Sequence, residues 1–220
     1  LDQMIPAAAK LADQIDVYCD RGAFTLEESE EILRRGISLG LGGRIHAEQV
    51  QHTGAAKMAA RIGAFSADHL ERLDDEGISA MAASDIVAVL LPGARLYLRD
   101  PYPPVGKLLD AGVLMAIATD FNPGSSPVRD LLACATMACV EFRLPIEDAL
   151  LGVTRNAAKV LDREDLGWLG PGSAGDMALF APPPGEPPEY STLIQYMGGH
   201  RAKMVIRAGR LVVDNGCLVG

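Results

Sequence analysis

The sequence has few aromatic side chains, no long apolar run and no Cys-x-x-Cys pair. Aromatic residues make up 5% of its 220 residues, which favours close helix–strand packing over a β-sandwich with large aromatic anchors. No stretch approaches the roughly 20 apolar residues of a membrane span. The first ten residues, LDQMIPAAAK, also lack the basic start and apolar run of a signal peptide. We therefore expect no membrane partner.

Basic residues are too few for a nucleic-acid surface. Twenty Lys and Arg against 29 Asp and Glu give a formal net charge of −9, whereas phosphate binding needs a basic face. We expect a cytoplasmic protein with reduced, structural thiols. The cysteines are Cys19, Cys134, Cys139 and Cys217.

The signatures of several common enzyme classes are also missing. The chain has no Walker GxxxxGK[ST] sequence, and no predicted strand is followed by a GxGxxG turn or a GxSxG nucleophile elbow. The usual marks of NTPases, dinucleotide-binding enzymes and serine hydrolases are therefore absent.

What is present is an alternation of short apolar runs with longer helical stretches, which is typical of βα units on a parallel sheet. The predicted strands are 14–19, 43–47, 64–68, 86–91 and 113–119. The predicted helices are 26–39, 54–62, 74–83, 107–111, 128–142, 146–151 and 154–160.

Local signals mark several element ends. Thr25 and Glu28 have the spacing of a capping box, and Thr154 is predicted to cap the last of these helices. Pro92-Gly93 is predicted to break the fourth strand. Beyond about residue 166 the chain turns β-rich, with a strand over 176–180 and a hairpin over 203–213.

Three residues of metal-ligand or acid–base type lie at the C-terminal tips of predicted parallel strands. They are His46, His69 and Asp120. The carboxyl ends of such strands carry the active sites of (β/α) barrels, so the three point to a shared centre if the sheet closes. Taken singly, His46 also fits a hydrogen-bonded core histidine, His69 a helix-start histidine, and Asp120 a turn cap.

The loop after Asp120 is a candidate binding loop. Asn122, Gly124 and Ser125 offer donors that could cradle a carboxylate or an amide, although an ordinary Asn-Pro-Gly turn fits equally. His52 is expected to be solvent-exposed. His200, after two glycines, could lie near a subunit contact or the mouth of the site.

The strings IHAEQ, SADHLE, VAVLLPGA, ATDFNPGSSP and TRNAAKVL occur in this order. Their order and spacing resemble the imidazolonepropionase family of the amidohydrolase superfamily, over about 13–213. The resemblance implies an α/β fold: the C-terminal part of a (β/α)8 TIM-like barrel, strands about four to eight, over residues 1–165. Residues 166–220 would then be part of a small β-sandwich domain.

The resemblance also implies an activity. It is the hydrolysis of the ring amide C–N bond of 4-imidazolone-5-propanoate to N-formimidoyl-L-glutamate, in histidine degradation, with one zinc or iron ion that activates water. Members of this family suggest a homodimer. By motif position, His46 and Asp120 are metal ligands, and His69 and Asp120 are catalytic. The substrate-binding positions are Gln49, Asn122, Gly124 and Ser125.

The sequence departs from the family in one important respect. It contains no His-x-His pair, which supplies two more ligands in the superfamily, and two protein ligands hold a metal poorly compared with three or more. The Arg and Tyr that would bind the propionate are missing too. We therefore expect a fragment that is inactive alone. Another metal-dependent amidohydrolase, such as a deaminase or cyclic amidase, and a non-catalytic barrel remnant are the alternatives.

Overall fold

Five parallel strands form the main sheet of this computed structural model, which describes residues 1–199 and 201–219. The strands pair in chain order, so each crosses over to its next neighbour. They are β1 (Gln14–Tyr18), β2 (Gly42–Ala47), β3 (Ser66–His69), β4 (Val87–Leu90) and β5 (Met115–Ile117). Within the described residues β1 and β5 are each paired on one side only, so the sheet is open.

Helices lie between and after these strands. They are α1 (Met4–Ala8), α2 (Leu26–Ile37), α3 (Ala55–Ile62), α4 (Asp75–Ala82), α5 (Pro92–Leu98), α6 (Val105–Asp110), α7 (Leu131–Phe142), α8 (Ile146–Gly152), α9 (Arg155–Val160) and α10 (Thr192–Gln195). None of the helices in the described part of the chain is long and apolar enough to cross a membrane.

A second, antiparallel sheet follows in the order β6-β7-β8-β9. Its strands are β6 (Met177–Leu179), β7 (Met204–Arg207), β8 (Arg210–Asp214) and β9 (Cys217–Leu218). The predicted hairpin is β7 and β8, which turn at Ala208 and Gly209. The short β9 and the helices α1 and α10 had no sequence prediction. His200 lies outside the described residues.

Alternate residues of the parallel strands face opposite sides of the sheet, as the strand period of two requires. One set packs against the helices in the hydrophobic core. It includes Val17, Ile45, Ala67, Leu90 and Ile117. The other set lines a cavity of about 360 Å³. It includes Asp16, Arg44, Asp68, Val89 and Ala118. β3 and β4 are buried along their whole length, and β2 is buried except at Arg44 and His46. No residue of β6–β9 is buried.

The capping box of α2 is confirmed. Thr25 Oγ1 accepts from the Glu28 N–H at 3.2 Å, and the Glu28 carboxylate accepts from the Thr25 N–H at 2.9 Å. Asp74 caps α4 and Asp130 caps α7 in the simpler way, each through one side-chain oxygen. Thr25, Asp74 and Asp130 thus each satisfy a backbone N–H in the first turn of the helix that follows.

Of two further predicted element ends, the strand break at Pro92-Gly93 is confirmed and the cap at Thr154 is wrong. Pro92-Gly93 ends β4 but also begins α5, because proline fits the first helical turn, where its missing N–H would have no partner anyway. Gly93 is needed there for space, since a Cβ would lie 2.7 Å from Ser126 Oγ. Thr154 does not cap α9 through its side chain; its hydroxyl instead donates to Leu150 O at 2.6 Å.

One string has the letters of a serine-hydrolase motif but not its geometry. Gly36 to Gly40 reads Gly-x-Ser-x-Gly, yet it spans the C-terminal end of α2 rather than a strand-to-helix turn. The Ser38 hydroxyl donates to Arg35 O at 2.8 Å. It is a helix-end serine, because a nucleophile elbow follows a strand.

Candidate functional site

A cavity of about 530 Å³ opens beside the carboxyl ends of the parallel strands. It is lined by Tyr18, His46, Gln49, Val50, His69, Leu98, Asp100, Asp120, Asn122 and Ser125. Six of the seven site residues expected from the sequence are in this group, and Gly124 is the one that is not. His46 and Asp120 also line the 360 Å³ cavity on the sheet face, so they stand where the two cavities meet.

His46 is positioned by strand pairing. In β2 it lies in register with Tyr18 on one side and Asp68 on the other, and its Nδ1 lies 3.1 Å from each carboxylate oxygen of Asp16. Burial lowers the pKa of His46. The hydrogen bond to Asp16 and the charges of Asp16, Asp68 and Asp120 outweigh burial and leave that pKa raised.

His69 ends β3 in a strained backbone. Its φ is 80° and that of Leu70 is 71°. Residues other than glycine seldom adopt such values, and strained backbone of this kind clusters at functional sites. The imidazole is 2% exposed, and its centroid is 5.3 Å from that of His46. Among residues 1–199 and 201–219 its Nδ1 finds no hydrogen-bond partner, and a carboxylate oxygen of the buried Glu71 lies 3.8 Å away.

Asp120 lies three residues beyond β5, not at the strand tip, with φ 47°. The loop after it is internally braced. Asn122 Nδ2 donates to Asp120 O at 2.8 Å, and Asn122 Oδ1 accepts from the backbone N–H groups of Gly124 and Ser125. These donors are already paired within the loop, so in this conformation it is a self-contained turn rather than an open anion cradle.

The segment that carries Gln49 is anchored at successive residues. The Arg72 backbone N–H donates to Glu48 O at 2.8 Å, and the Arg72 guanidinium donates to Gln49 O. Asp20 accepts from the Val50 N–H at 2.7 Å. This anchoring fixes the turn in which Gln49 lines the 530 Å³ cavity.

Glu48 is wholly buried with φ 58°, and its carboxylate accepts from the N–H groups of Thr53 and Ala56. His52 is half exposed, as predicted, but its Nδ1 lies 3.2 Å from Glu48 and its Nε2 3.4 Å from Asp74. It therefore acts as a bridge between two carboxylates outside the cavity.

Sequence reasoning missed the polar residues inside the strands. Asp16, Arg44 and Asp68 line the sheet-face cavity with His46. Arg44 donates to Asp68 at 3.0 Å, and the Ser66 hydroxyl donates to the same carboxylate at 2.7 Å. The sequence did contain a signal for them, namely polar residues two positions apart along a strand. Such residues share one face of the sheet.

The cavity-lining residues include donors that suit a divalent metal ion. Imidazole nitrogen and carboxylate oxygen are common ligands of zinc and iron, and His46 and Asp120 supply one of each beside the same two cavities. Over residues 1–199 and 201–219, however, no cluster of three or more His, Cys, Asp or Glu side chains is arranged to hold a metal ion. The donor types fit such an ion, but their number does not complete a site.

The sequence profile of the amidohydrolase family matches residues 2–212. The chain belongs to the amidohydrolase family. This amidohydrolase chain is 44% identical to the imidazolonepropionase of Polaromonas sp. (strain JS666), over 96% of the chain and 50% of that protein. It is 39% identical to that of Geobacillus kaustophilus, over 98% of the chain and 50% of that protein. The chain thus spans about half the length of these relatives.

Solved structures agree on the fold of this amidohydrolase. A zinc-bound adenosine deaminase from Xanthomonas campestris superposes with a TM-score of 0.82 at 19% identity, over 99% of this chain and 58% of its own. A zinc complex of atrazine chlorohydrolase from Arthrobacter aurescens gives 0.78 at 19% identity, over 99% and 56%. The predicted part of a TIM-like barrel, followed by a β segment, is confirmed.

Proposed function

We propose that the protein to which this chain belongs hydrolyses the ring amide C–N bond of 4-imidazolone-5-propanoate to N-formimidoyl-L-glutamate. The observation that carries the proposal is the meeting of His46, Gln49, His69 and Asp120 at one cavity, in a chain 39–46% identical to imidazolonepropionases. Because the chain spans half of those proteins, the activity is proposed for a whole protein of that length. The 220 residues alone are expected to be inactive.

In this proposal His46 and Asp120 are two of the ligands of one zinc or iron ion, and the remaining ligands lie outside these 220 residues. When bound, the ion would lower the pKa of a water molecule and so supply a nucleophile near neutral pH. The half-exposed position of both side chains at the junction of two cavities leaves room for that water.

The chain's own groups then handle protons and the substrate. Asp120 accepts the proton of the attacking water and returns it to the leaving ring nitrogen. His69 stabilises the negative charge that develops on the amide oxygen. Gln49, Asn122 and Ser125 contact the substrate, with Gly124 shaping the loop. The internal hydrogen bonds of Asn122 must exchange with substrate for this last role to hold.

A chimaera tests the proposal directly. The half of the Polaromonas relative that this chain does not match is fused upstream of Leu1, and ring opening of 4-imidazolone-5-propanoate is followed with zinc or iron(II) added. We expect turnover by the chimaera, none by the isolated chain, and none by the chimaera carrying His46→Asn. Asp13→Asn, at an exposed position outside both cavities, is the matched control.

Two results would count against the proposal. A metal-loaded chimaera that deaminates a heterocyclic amine or opens another cyclic amide, but leaves the imidazolone intact, would indicate a different amidohydrolase. A folded chimaera with no hydrolysis of any of these substrates would favour a non-catalytic barrel remnant.

Turnover by the isolated chain at the rate of the intact relative would contradict its predicted inactivity. A homodimer and a cytoplasmic location stay predictions.

A further inference from the structure

Asp16 contacts His46, although the sequence assigned no role to Asp16. β1 and β2 run in parallel, with Asp16 opposite Arg44 and Tyr18 opposite His46. Asp16 therefore lies diagonally across from His46 on the same face of the sheet. The His46 Nδ1 is 3.1 Å from both carboxylate oxygens, so the carboxylate is centred on this one ring nitrogen.

The chemistry of the pair decides where the imidazole proton resides. An ionised carboxylate has no proton to donate, so the ring nitrogen that faces it must carry one. A carboxylate is ordinarily ionised near neutral pH, so the two Asp16 oxygens at 3.1 Å act as acceptors for Nδ1. A neutral imidazole with its proton on Nδ1 has its lone pair on Nε2.

We propose that Asp16 is a positioning residue that holds His46 in its Nδ1–H form and so presents the Nε2 lone pair as its metal donor. The ring orientation follows from the same contact, because the Nδ1 edge is tied to β1. The first part of this inference, the proton position, concerns this chain alone. The second part rests on the proposed function, since it takes His46 as a ligand.

The surroundings of His46 support a fixed ring. The Tyr18 ring packs against it edge-on at a centroid distance of 5.5 Å, and the His69 ring lies at 5.3 Å. A carboxylate behind a metal-bound histidine fixes the ring and raises its basicity, and its removal costs about 10–100-fold in metal affinity. If the pair instead served only to hold β1 beside β2, loss of Asp16 would lower stability without moving the ring proton.

The proton position is read by long-range ¹H–¹⁵N NMR of the histidine rings, at a pH where imidazole is neutral. The chain has four histidines, and the His46 signals are assigned from their loss in His46→Gln. We expect a protonated Nδ1 and an unprotonated Nε2 in the wild-type chain. Asp16→Ala removes the acceptor and should shift His46 toward the Nε2–H form. A wild-type His46 with its proton on Nε2 would overturn the inference.

The metal measurement uses zinc itself as the probe, titrated into the chimaera described above and into its Asp16→Ala, Asp16→Asn and control Asp13→Ala variants. We expect affinity about 10–100-fold weaker for Asp16→Ala, a smaller loss for Asp16→Asn, which keeps an oxygen acceptor, and none for Asp13→Ala. Far-ultraviolet circular dichroism checks that each variant is folded.

The two parts can fail separately. A proton that moves in Asp16→Ala without any change in zinc affinity would overturn the positioning role. If the wild-type ring is Nδ1–H but the chimaera described above binds no zinc, then the metal in the proposed function fails and the proton assignment stands.

Discussion

Asp68 is a buried carboxylate on the cavity-lining face of the sheet, and its charged partner is Arg44. Its side chain is 7% exposed, and it accepts from Arg44 at 3.0 Å and from Ser66 at 2.7 Å. Burial raises the pKa of Asp68, and the Arg44 charge and the Ser66 hydrogen bond act against that rise. Removing Arg44 would therefore leave a buried carboxylate with one neutral donor.

We predict that Arg44→Leu lowers the free energy of unfolding by roughly 3 kcal/mol at neutral pH, the lower end of the cost of unpairing a buried charge. The loss should shrink in acid. Without Arg44 the folded pKa of Asp68 lies further above its unfolded value, so the penalty is full above the folded pKa. It disappears as pH falls below the unfolded value.

Urea unfolding of the metal-free chain across a pH series measures this change. Arg34→Leu is the control, because Arg34 pairs with Glu30 on the surface of α2, where such pairs are worth ~0.3–0.5 kcal/mol. A loss for Arg44→Leu that is equal to the control, or that grows as the pH falls, would contradict the buried-pair interpretation.

The sequence indicated some of these side chains and not others for a physical reason. His46, His69 and Asp120 stand out because each lies at the C-terminal tip of a predicted strand. Asp16 and Arg44 lie inside strands that pair only in the folded sheet. Their partners, His46 and Asp68, are 30 and 24 residues away in the chain. Such contacts depend on strand register, which no local pattern specifies on its own.

At the scale of elements, helix starts were predictable where the signal is local. The Thr25 and Glu28 capping box needs only four residues of sequence, and α2 begins where it predicts. Thr154 looked equally suitable for α9, but its hydroxyl found Leu150 O in the preceding turn, four residues back. A capping residue that follows another helix directly has a competing acceptor, and α8 supplies it here.

We predict that Thr25→Ala lowers the free energy of unfolding by about 1 kcal/mol, because the Glu28 N–H loses its acceptor at the first turn of α2. Thr25→Ser keeps the oxygen and should leave the free energy of unfolding nearly unchanged, because Ser is at least as good an N-cap as Thr. Thermal or urea unfolding of the two variants side by side is the measurement. Equal losses for Ala and Ser would show that the methyl group of Thr25, rather than its hydroxyl, stabilises the helix start.

At the scale of the whole molecule, the alternation of strands and helices predicted a parallel sheet but could not predict whether the sheet closes. Each βα unit has the same local pattern in an open sheet and in a barrel. The family resemblance supplied the barrel, and the structural similarities bear it out. Both edge strands, β1 and β5, have a free side within the described residues.

Burial also supports our proposal that the chain divides near residue 165. β2, β3 and β4 pack between helices and the neighbouring strands, and β3 and β4 are buried along their whole length. In the second sheet β6 and β9 are exposed throughout, and β7 and β8 are at most half-buried. The two sheets should therefore differ in local stability, because protection of a hydrogen bond follows the burial around it.

Hydrogen exchange gives the corresponding prediction. Under native conditions the amides of β7 and β8 should exchange by local opening well before those of β3 and β4, which should exchange only on opening of the main sheet. Added urea should accelerate β3 and β4 strongly and β7 and β8 weakly, since little surface is exposed when the second sheet opens. Peptide-resolved mass spectrometry can follow both groups in one experiment. Exchange of the two sheets at a single rate, with the same urea dependence, would mean that residues 1–165 and 166–220 unfold as one unit, and the proposed division would be wrong.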